Sequence, residues 1–167
     1  MNNLKFTDNL LKGKIAEIIF EQMLRSIQSR KKDGGLENVF TVLHFGYEHI
    51  LPELAKNKDI KKHASTTLDA IRTAPDFAIV NNKTKEVSLV EVKYRKKLNK
   101  DDILNIAKHM EKSWVTAKLF IATTDGFYFD DIKDIIENNG EIQKFSHPDI
   151  SIDVQMKYLE LLNKYEQ

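Results

Sequence analysis

The first part of the chain shows a helical pattern. Apolar residues such as Leu11, Ile15 and Ile18 recur near a period of about 3.6 residues, and an Asp-Gly-Gly stop signal follows at residues 33–35. This periodicity predicts one long amphipathic helix over residues 8–32, with an apolar face that packs on a core.

Short runs rich in β-branched and aromatic residues alternate with further helical patterns in the rest of the chain. We predict strands at residues 39–45, 77–80, 87–90, 117–123, 127–129 and 141–145. We predict helices at residues 51–55, 64–71, 101–112, 132–138 and 154–165. The two middle strands are apolar on both faces, so helices should cover both sides of the sheet. This order of elements predicts an α/β sandwich around a central mixed sheet.

A predicted hairpin in the middle of the chain brings charged residues together. If Val80 pairs with Val87, the same register places Asp76 opposite Glu91. Lys93 then projects from the same face as Glu91, because alternate strand residues share a face. Two carboxylates this close repel each other unless a cation lies between them. The hairpin therefore predicts a divalent metal site with a lysine beside it.

The sequence Pro75-Asp76, followed by Glu91-Val92-Lys93 at the end of the next strand, resembles the PD-(D/E)xK nuclease superfamily. The order of helices and strands also agrees with that superfamily over most of the chain. The resemblance implies a restriction-endonuclease-like fold, a three-layer sandwich with a central mixed β-sheet flanked by helices. It also implies metal-dependent hydrolysis of phosphodiester bonds in nucleic acid, with DNA favoured over RNA.

The resemblance assigns roles to individual residues. Asp76, Glu91 and the carbonyl of Val92 would bind Mg²⁺ or Mn²⁺. Lys93 would orient or deprotonate the attacking water and balance charge at the phosphate. Glu17, on the first helix where the superfamily commonly keeps a glutamate, would bind a second metal ion or act as an outer acceptor that orients a water.

Two small residues precede Glu17 on the same predicted helix. Gly13 and Ala16 have little or no side chain, so we expect them to let the helix pack closely on the sheet. Close packing would offer the Glu17 carboxylate to the end of the sheet.

Basic residues near the predicted hairpin are candidates for contact with phosphates. The densest basic run in the chain directly follows Lys93, and a run of this kind is otherwise a solvated loop. Arg72 precedes Pro-Asp and is either a phosphate clamp or a surface arginine. The predicted nucleic-acid-binding residues are Arg72, Arg95, Lys96, Lys97, Lys100 and Lys108.

Other acidic and histidine groups have simpler interpretations. We interpret His44, Glu48 and His49 as structural or as the rim of a substrate groove, because they lack the spacing of a helical zinc motif. We interpret Asp130 and Asp131 as caps of the helix that follows, since the alternating spacing of a calcium loop is absent.

Composition sets the remaining limits. With 167 residues and 19.4 kDa, the chain fits one domain over residues 1–167, with a small insert at about 47–72. It contains no cysteine, which excludes disulfides and thiolate metal sites. A net charge of +1 gives no global attraction to nucleic acid, so a local basic patch must supply it. The sequence has no apolar signal or membrane segment, and we expect a cytoplasmic protein, with a homodimer or a substrate-delivering partner compatible with its size.

Two alternatives remain open from the sequence. The chain could be a nucleic-acid-binding or assembly module on the same fold with weak or absent catalysis. It could also be an unrelated protein in which Glu91 and Lys93 are solvent-facing strand residues and Asp76 lies far from Glu91.

Overall fold

A computed structural model of the chain describes residues 2–46, 70–71 and 73–165. Four helices and seven strands have both ends within these residues. The helices are α1 (Asn2–Arg25), α2 (Lys100–Trp114), α3 (Ile132–Glu137) and α4 (Ile152–Lys164). The strands are β1 (Gln28–Arg30), β2 (Leu36–Asn38), β3 (Phe40–His44), β4 (Phe77–Asn81), β5 (Val87–Tyr94), β6 (Lys118–Thr123) and β7 (Gly126–Asp131). The predicted helix at 51–55 and most of the one at 64–71 lie outside the described residues.

The first helix differs from its prediction at both ends. It begins at Asn2 and ends at Arg25, and the chain then forms the small antiparallel hairpin β1–β2. Lys31 N donates a 2.7 Å hydrogen bond to the carbonyl of Gly35, and Gly34 has a φ of +87°, so the glycine pair closes a hairpin turn. The Asp-Gly-Gly signal was therefore correct as a turn and wrong as the end of a helix.

The main sheet has five strands in the order β3-β4-β5-β6-β7. All neighbours are antiparallel except β5 and β6, which are parallel and are connected through α2. The hairpin of β4 and β5 lies inside the sheet, as predicted. Its register pairs Val80 with Val87 and Ala78 with Leu89, which confirms the predicted register.

Helices pack against both faces of this sheet. On one face α1 and α4 enclose an aromatic core in which the Phe20 ring lies 4.7 Å from that of Phe120 and 5.7 Å from that of Phe77. On the other face α2 and α3 pack on β6, with Ile103 and Leu119 fully enclosed. Burial of both faces explains why the central strands are apolar on each side. The α/β class and the mixed sheet are confirmed.

The end of the chain follows its prediction only in part. Residues 141–145 do not form the predicted strand, because the backbone of the segment pairs with β7 only through a bridge between Lys144 and Tyr128 and two flanking hydrogen bonds. Phe145 turns into the aromatic core instead of extending the ladder. Gly140 precedes the segment with a φ of +85°, and a Cβ there would lie 2.2 Å from the carbonyl oxygen of Lys100. The glycine therefore allows α3 to end against α2.

No helix in the described part of the chain combines the length and the apolar character needed to cross a membrane.

Candidate active site

The candidate site lies where β4 and β5 separate. Their pairing ends at Phe77 and Val90, whereas β5 continues to Tyr94 with only β6 beside it. At this fork the Oδ2 atom of Asp76 accepts a 2.8 Å hydrogen bond from the amide of Val92. The aspartate side chain thus occupies a ladder position that β4 leaves open, which holds the carboxylate in the plane of the sheet.

The main chain of Asp76 is fixed from the other side. Its carbonyl oxygen accepts hydrogen bonds from the amides of Phe45, at 2.8 Å, and Gly46, at 3.3 Å. These residues follow β3 directly, and Pro75 just before the aspartate is buried. Asp76 is therefore held between β3 and β5. Sequence reasoning did not include the two amides, although the break of the strand pattern at Gly46 was the signal for them.

Val90 and Val92 point into the core that contains α1. Glu91 and Lys93 alternate with them along β5, so their side chains project from the other face of the sheet, where α2 lies. Lys93 Nζ forms an ion pair and hydrogen bond with Glu91 Oε1. The Glu91 side chain is only 13% exposed, whereas that of Lys93 is 35% exposed. The structure therefore brings together the acid–acid–lysine group that the hairpin register predicted.

The pKa of Asp76 reflects this crowding. The pKa of Asp76 is raised from the ordinary 3.8 to about 7, first by burial and next by the negative charge of Glu91, while Lys93 and the Val92 amide act to lower it. Two carboxylates at one fork with a single ammonium group have an excess of negative charge. With a pKa of about 7, roughly half of the Asp76 carboxyl groups carry a proton at neutral pH in the absence of another cation.

The pKa of Lys93 shifts in the direction of the charged form. Burial lowers this pKa, but the charges of Glu91 and Asp76 and the hydrogen bond to Glu91 outweigh burial, and the net shift is upward. Lys93 is therefore an ammonium group at neutral pH.

Glu17 approaches the fork from α1, on the opposite face of the sheet. Its negative charge contributes to the raised pKa of Asp76, as the smallest of the contributions, and its Oε2 atom pairs with Lys14 Nζ. The oxygens of Glu17, Asp76 and Glu91 do not form a group in which all three lie within 4.8 Å of one another. Glu17 therefore acts on Asp76 through its charge, and its role as a second-metal ligand or as an outer acceptor stays a prediction.

The packing predicted for the α1 segment around Glu17 is half correct. Ala16 is fully buried against the sheet. Gly13 is only half-buried, and a Cβ at this position would meet nothing within 4 Å. The close approach of the helix depends on Ala16, and the role predicted for Gly13 was wrong.

The donor atoms at the fork suit a hard divalent cation. The Asp76 and Glu91 carboxylates and the Val92 carbonyl are all oxygen donors, which Mg²⁺ and Mn²⁺ prefer. Burial and the negative charge of Glu91 raise the pKa of Asp76, and a cation bound beside it would favour the carboxylate form against both effects.

The predicted nucleic-acid contacts fall into three groups. Arg72 lies outside the described residues. Arg95 and Lys100 each have a carboxylate partner, since the Arg95 guanidinium contacts Asp102 and Lys100 Nζ contacts Glu141. The remaining three, Lys96, Lys97 and Lys108, are exposed and have no ion pair with the described residues.

Lys108 has no described contact that connects it to the fork. It lies on the exposed face of α2, whose buried residues are Ile103, Ala107 and Met110. The structure therefore gives no support to the predicted approach of Lys108 to the site.

Of the predicted group His44, Glu48 and His49, the structure describes only His44. His44 lies over Phe77, with ring centroids 5.0 Å apart, and its Nε2 atom is 3.4 Å from Glu21 Oε2. These contacts agree with the structural role, one of the two interpretations of His44, whereas Glu48 and His49 lie outside the described residues.

The aspartates before α3 do not cap it as predicted. Asp131 occupies the N-cap position without a side-chain cap bond, because its carboxylate pairs with Lys118 instead. Within the described chain, Asp130, Asp131 and Asp134 form the acidic group whose oxygens all lie within 4.8 Å of one another. Exposed acidic groups of this kind are common without an ion, and this one lies where β7 ends and α3 begins.

Comparison of the chain with models of known protein families and with curated proteins found no match. The interpretation of the fork therefore rests on its geometry and chemistry.

Proposed function

We propose that this protein is a metal-dependent nuclease of the PD-(D/E)xK superfamily, with a restriction-endonuclease-like fold, that hydrolyses phosphodiester bonds in DNA. The observation that carries the proposal is the strand fork, where the Val92 amide holds the Asp76 carboxylate beside Glu91 and Lys93. A five-stranded mixed sheet with helices on both faces is compatible with that fold.

Asp76, Glu91 and the Val92 carbonyl would hold Mg²⁺ or Mn²⁺ at the fork. When bound, the cation supplies a water of lowered pKa and a positive charge beside a phosphate oxygen. Asp76 is suited to hold it because one carboxylate oxygen, Oδ2, is already fixed by the Val92 amide. The position of the other oxygen is then set before any ligand arrives.

Lys93 contributes a fixed positive charge. Its pKa is raised, so at neutral pH it donates hydrogen bonds and does not accept a proton. An ammonium group of this kind can orient the attacking water and stabilise the negative charge that grows on the phosphate. Of the two roles that the resemblance implied, orientation and charge balance agree with this protonation state better than deprotonation of the water.

Glu17 would act from outside the ligand set. Its negative charge acts on Asp76 as the smallest of the contributions, and its carboxylate pairs with Lys14. An acceptor in this place can hold a water in one orientation and adjust the basicity of Asp76.

The test is a cleavage assay on supercoiled, linear and single-stranded DNA and on RNA, with Mg²⁺ or Mn²⁺ and with chelator. The variants are Asp76→Ala and Lys93→Ala. Lys118→Ala is the matched control, because Lys118 also pairs with a carboxylate from a neighbouring strand residue, Asp131. We expect metal-dependent cleavage of DNA by the wild type and the control, and its loss in both site variants.

Cleavage that survives in Asp76→Ala or Lys93→Ala would overturn the mechanism. Binding of DNA without cleavage under any metal condition would favour a non-catalytic nucleic-acid-binding module. Cleavage of RNA alone would correct the substrate and leave the site unchanged.

A further inference from the structure

The loop at residues 95–99 follows the fork directly and is held at several points. Arg95 N donates to the carbonyl of Ala122 at 2.9 Å, which extends the parallel β5–β6 ladder by one bond. The Thr124 hydroxyl donates to the carbonyl of Lys96 at 3.1 Å. Thr124 is itself tied to α4, because Asn163 Nδ2 donates to its carbonyl at 3.1 Å.

The Arg95 side chain fastens the other side of the loop. Its Nε atom donates to Asp102 Oδ2 at 2.5 Å, and its NH1 group donates to the Tyr94 carbonyl at 2.9 Å. The far end of the loop is fixed by Asn99, whose side chain accepts from the amide of Asp102 in the first turn of α2. The Arg95 side chain therefore holds the loop, and its contact with a phosphate stays a prediction.

The same anchors leave two adjacent lysines directed to solvent. Lys96 and Lys97 are exposed, and within the described chain neither has a carboxylate within 4.0 Å. They lie three and four residues beyond Lys93, so the chain places their Cα atoms at most about 11 and 14 Å from that of Lys93. A nucleic-acid strand rises about 3.4 Å per nucleotide, and this reach corresponds to a few nucleotides.

We propose that Lys96 and Lys97 form a phosphate clamp that binds the DNA backbone within about four nucleotides of the scissile phosphate. Asp102 and Thr124 are positioning residues, which hold the clamp through the Arg95 side chain and the Lys96 carbonyl. This inference rests on the proposed nuclease function and adds to it how the substrate is held. Recognition by two backbone contacts is independent of base sequence.

The test measures binding of a labelled DNA duplex from 50 to 200 mM salt, with Asp76→Asn in every protein so that no strand is cut. Each phosphate contact contributes about 0.9 to the slope of log affinity against log salt. Lys96→Gln with Lys97→Gln should therefore reduce the slope by about 1.8, which corresponds to a roughly tenfold smaller loss of affinity over this range. Both lysines are exposed, so the double variant should remain folded.

The matched control is Lys83→Gln with Lys85→Gln. These lysines are also exposed and closely spaced, but they lie in the β4–β5 turn at the other end of the hairpin. The control removes the same amount of charge. Because its lysines lie away from the fork, it should leave the slope of log affinity against log salt within about 0.3 of the parent value. Equal slopes in the two double variants would overturn the clamp.

The positioning role is tested at Thr124 by the same measurement. Thr124→Val removes the hydroxyl at constant size and should lower affinity about threefold with a shallower slope, while Thr124→Ser should restore both. A normal slope in Thr124→Val would overturn the positioning role.

The two proposals fail in different ways. If the protein with intact Asp76 cuts DNA but the lysine variants keep the parent slope, only the clamp is wrong. If it neither binds nor cuts DNA, the nuclease proposal and the clamp both fall.

Discussion

The Oδ2 atom of Asp76 accepts a 2.8 Å hydrogen bond from the amide of Val92, the residue between Glu91 and Lys93. One bond thus ties the start of β4 to the part of β5 that carries the other two charged residues. The bond can form because β4 and β5 stop pairing at Phe77 and Val90, which leaves the Val92 amide without a backbone partner on that side. The end of the β4–β5 pairing therefore separates the two strands and also frees the Val92 amide to hold Asp76.

Replacement of Asp76 by Asn should make the cation-free protein more stable above neutral pH. Burial and Glu91 raise the Asp76 pKa from 3.8 to about 7, so between these values the folded state holds a proton that the unfolded chain has lost. The free energy of unfolding of the wild type therefore falls as pH rises from about 4 to about 7. Asn cannot ionise, and at pH 8 we expect Asp76→Asn to be more stable by about 1–3 kcal/mol.

Urea unfolding at pH 5 and pH 8 measures this difference. The control is Glu111→Gln, which makes the same change from carboxylate to amide at an exposed position of α2. A constant difference between wild type and Asp76→Asn across this pH range would contradict the raised pKa.

Glu17 and Glu21 lie one turn apart on α1, and replacing each by Gln should affect different properties of the protein. Glu17→Gln removes a charge that acts on Asp76, and we expect Mn²⁺ affinity and cleavage to fall by about 10- to 100-fold. Glu21 pairs with Arg25 and His44, so Glu21→Gln should reduce stability by about 1 kcal/mol and leave Mn²⁺ affinity unchanged.

Calorimetry with Mn²⁺ and urea unfolding separate the two effects. Equal metal affinities in Glu17→Gln and wild type would show that Glu17 is a surface ion pair with Lys14 and no more.

The aromatic core between α1 and the sheet should contribute more to the free energy of unfolding than the exposed residues of α1. Phe20 is 1% exposed and contacts the rings of Phe77, Phe120 and Phe129. Phe20→Ala removes a large buried ring from the contact between α1 and the sheet, and we expect a loss of about 3–5 kcal/mol.

Urea unfolding at constant pH measures the loss. Leu10→Ala is the comparison, because Leu10 lies on the same helix but is 64% exposed, and this change should stay within about 0.5 kcal/mol. Similar losses in the two variants would mean that α1 does not pack on the sheet through Phe20.

The hairpin could be predicted from sequence because its register follows from local pattern. A turn of known length and period-two alternation fix which residues of β4 face which residues of β5, and this was enough to bring Asp76, Glu91 and Lys93 together. The position of Glu17 relative to Asp76 depends on how α1 packs across the sheet, which no local pattern encodes.

The errors at residues 28–38 and 141–145 have a similar cause. Leu24 and Ile27 continue the apolar pattern of α1, but Ile27 is buried beyond the end of the helix, and the glycines that follow form a hairpin turn. Phe145 resembles a strand residue in sequence, yet it fills the core beside Phe120 and Phe129. In both places, tertiary burial determined the backbone conformation.

The most direct test of the account is calorimetric titration of Mn²⁺ into the wild type, Asp76→Ala and Asp134→Ala. Asp134 belongs to the exposed group with Asp130 and Asp131, which is the other place where acidic oxygens gather in the described chain. We predict that the wild type and Asp134→Ala bind Mn²⁺ alike and that binding is lost in Asp76→Ala. Undiminished binding by Asp76→Ala, together with its loss in Asp134→Ala, would contradict the assignment of the strand fork as the metal site.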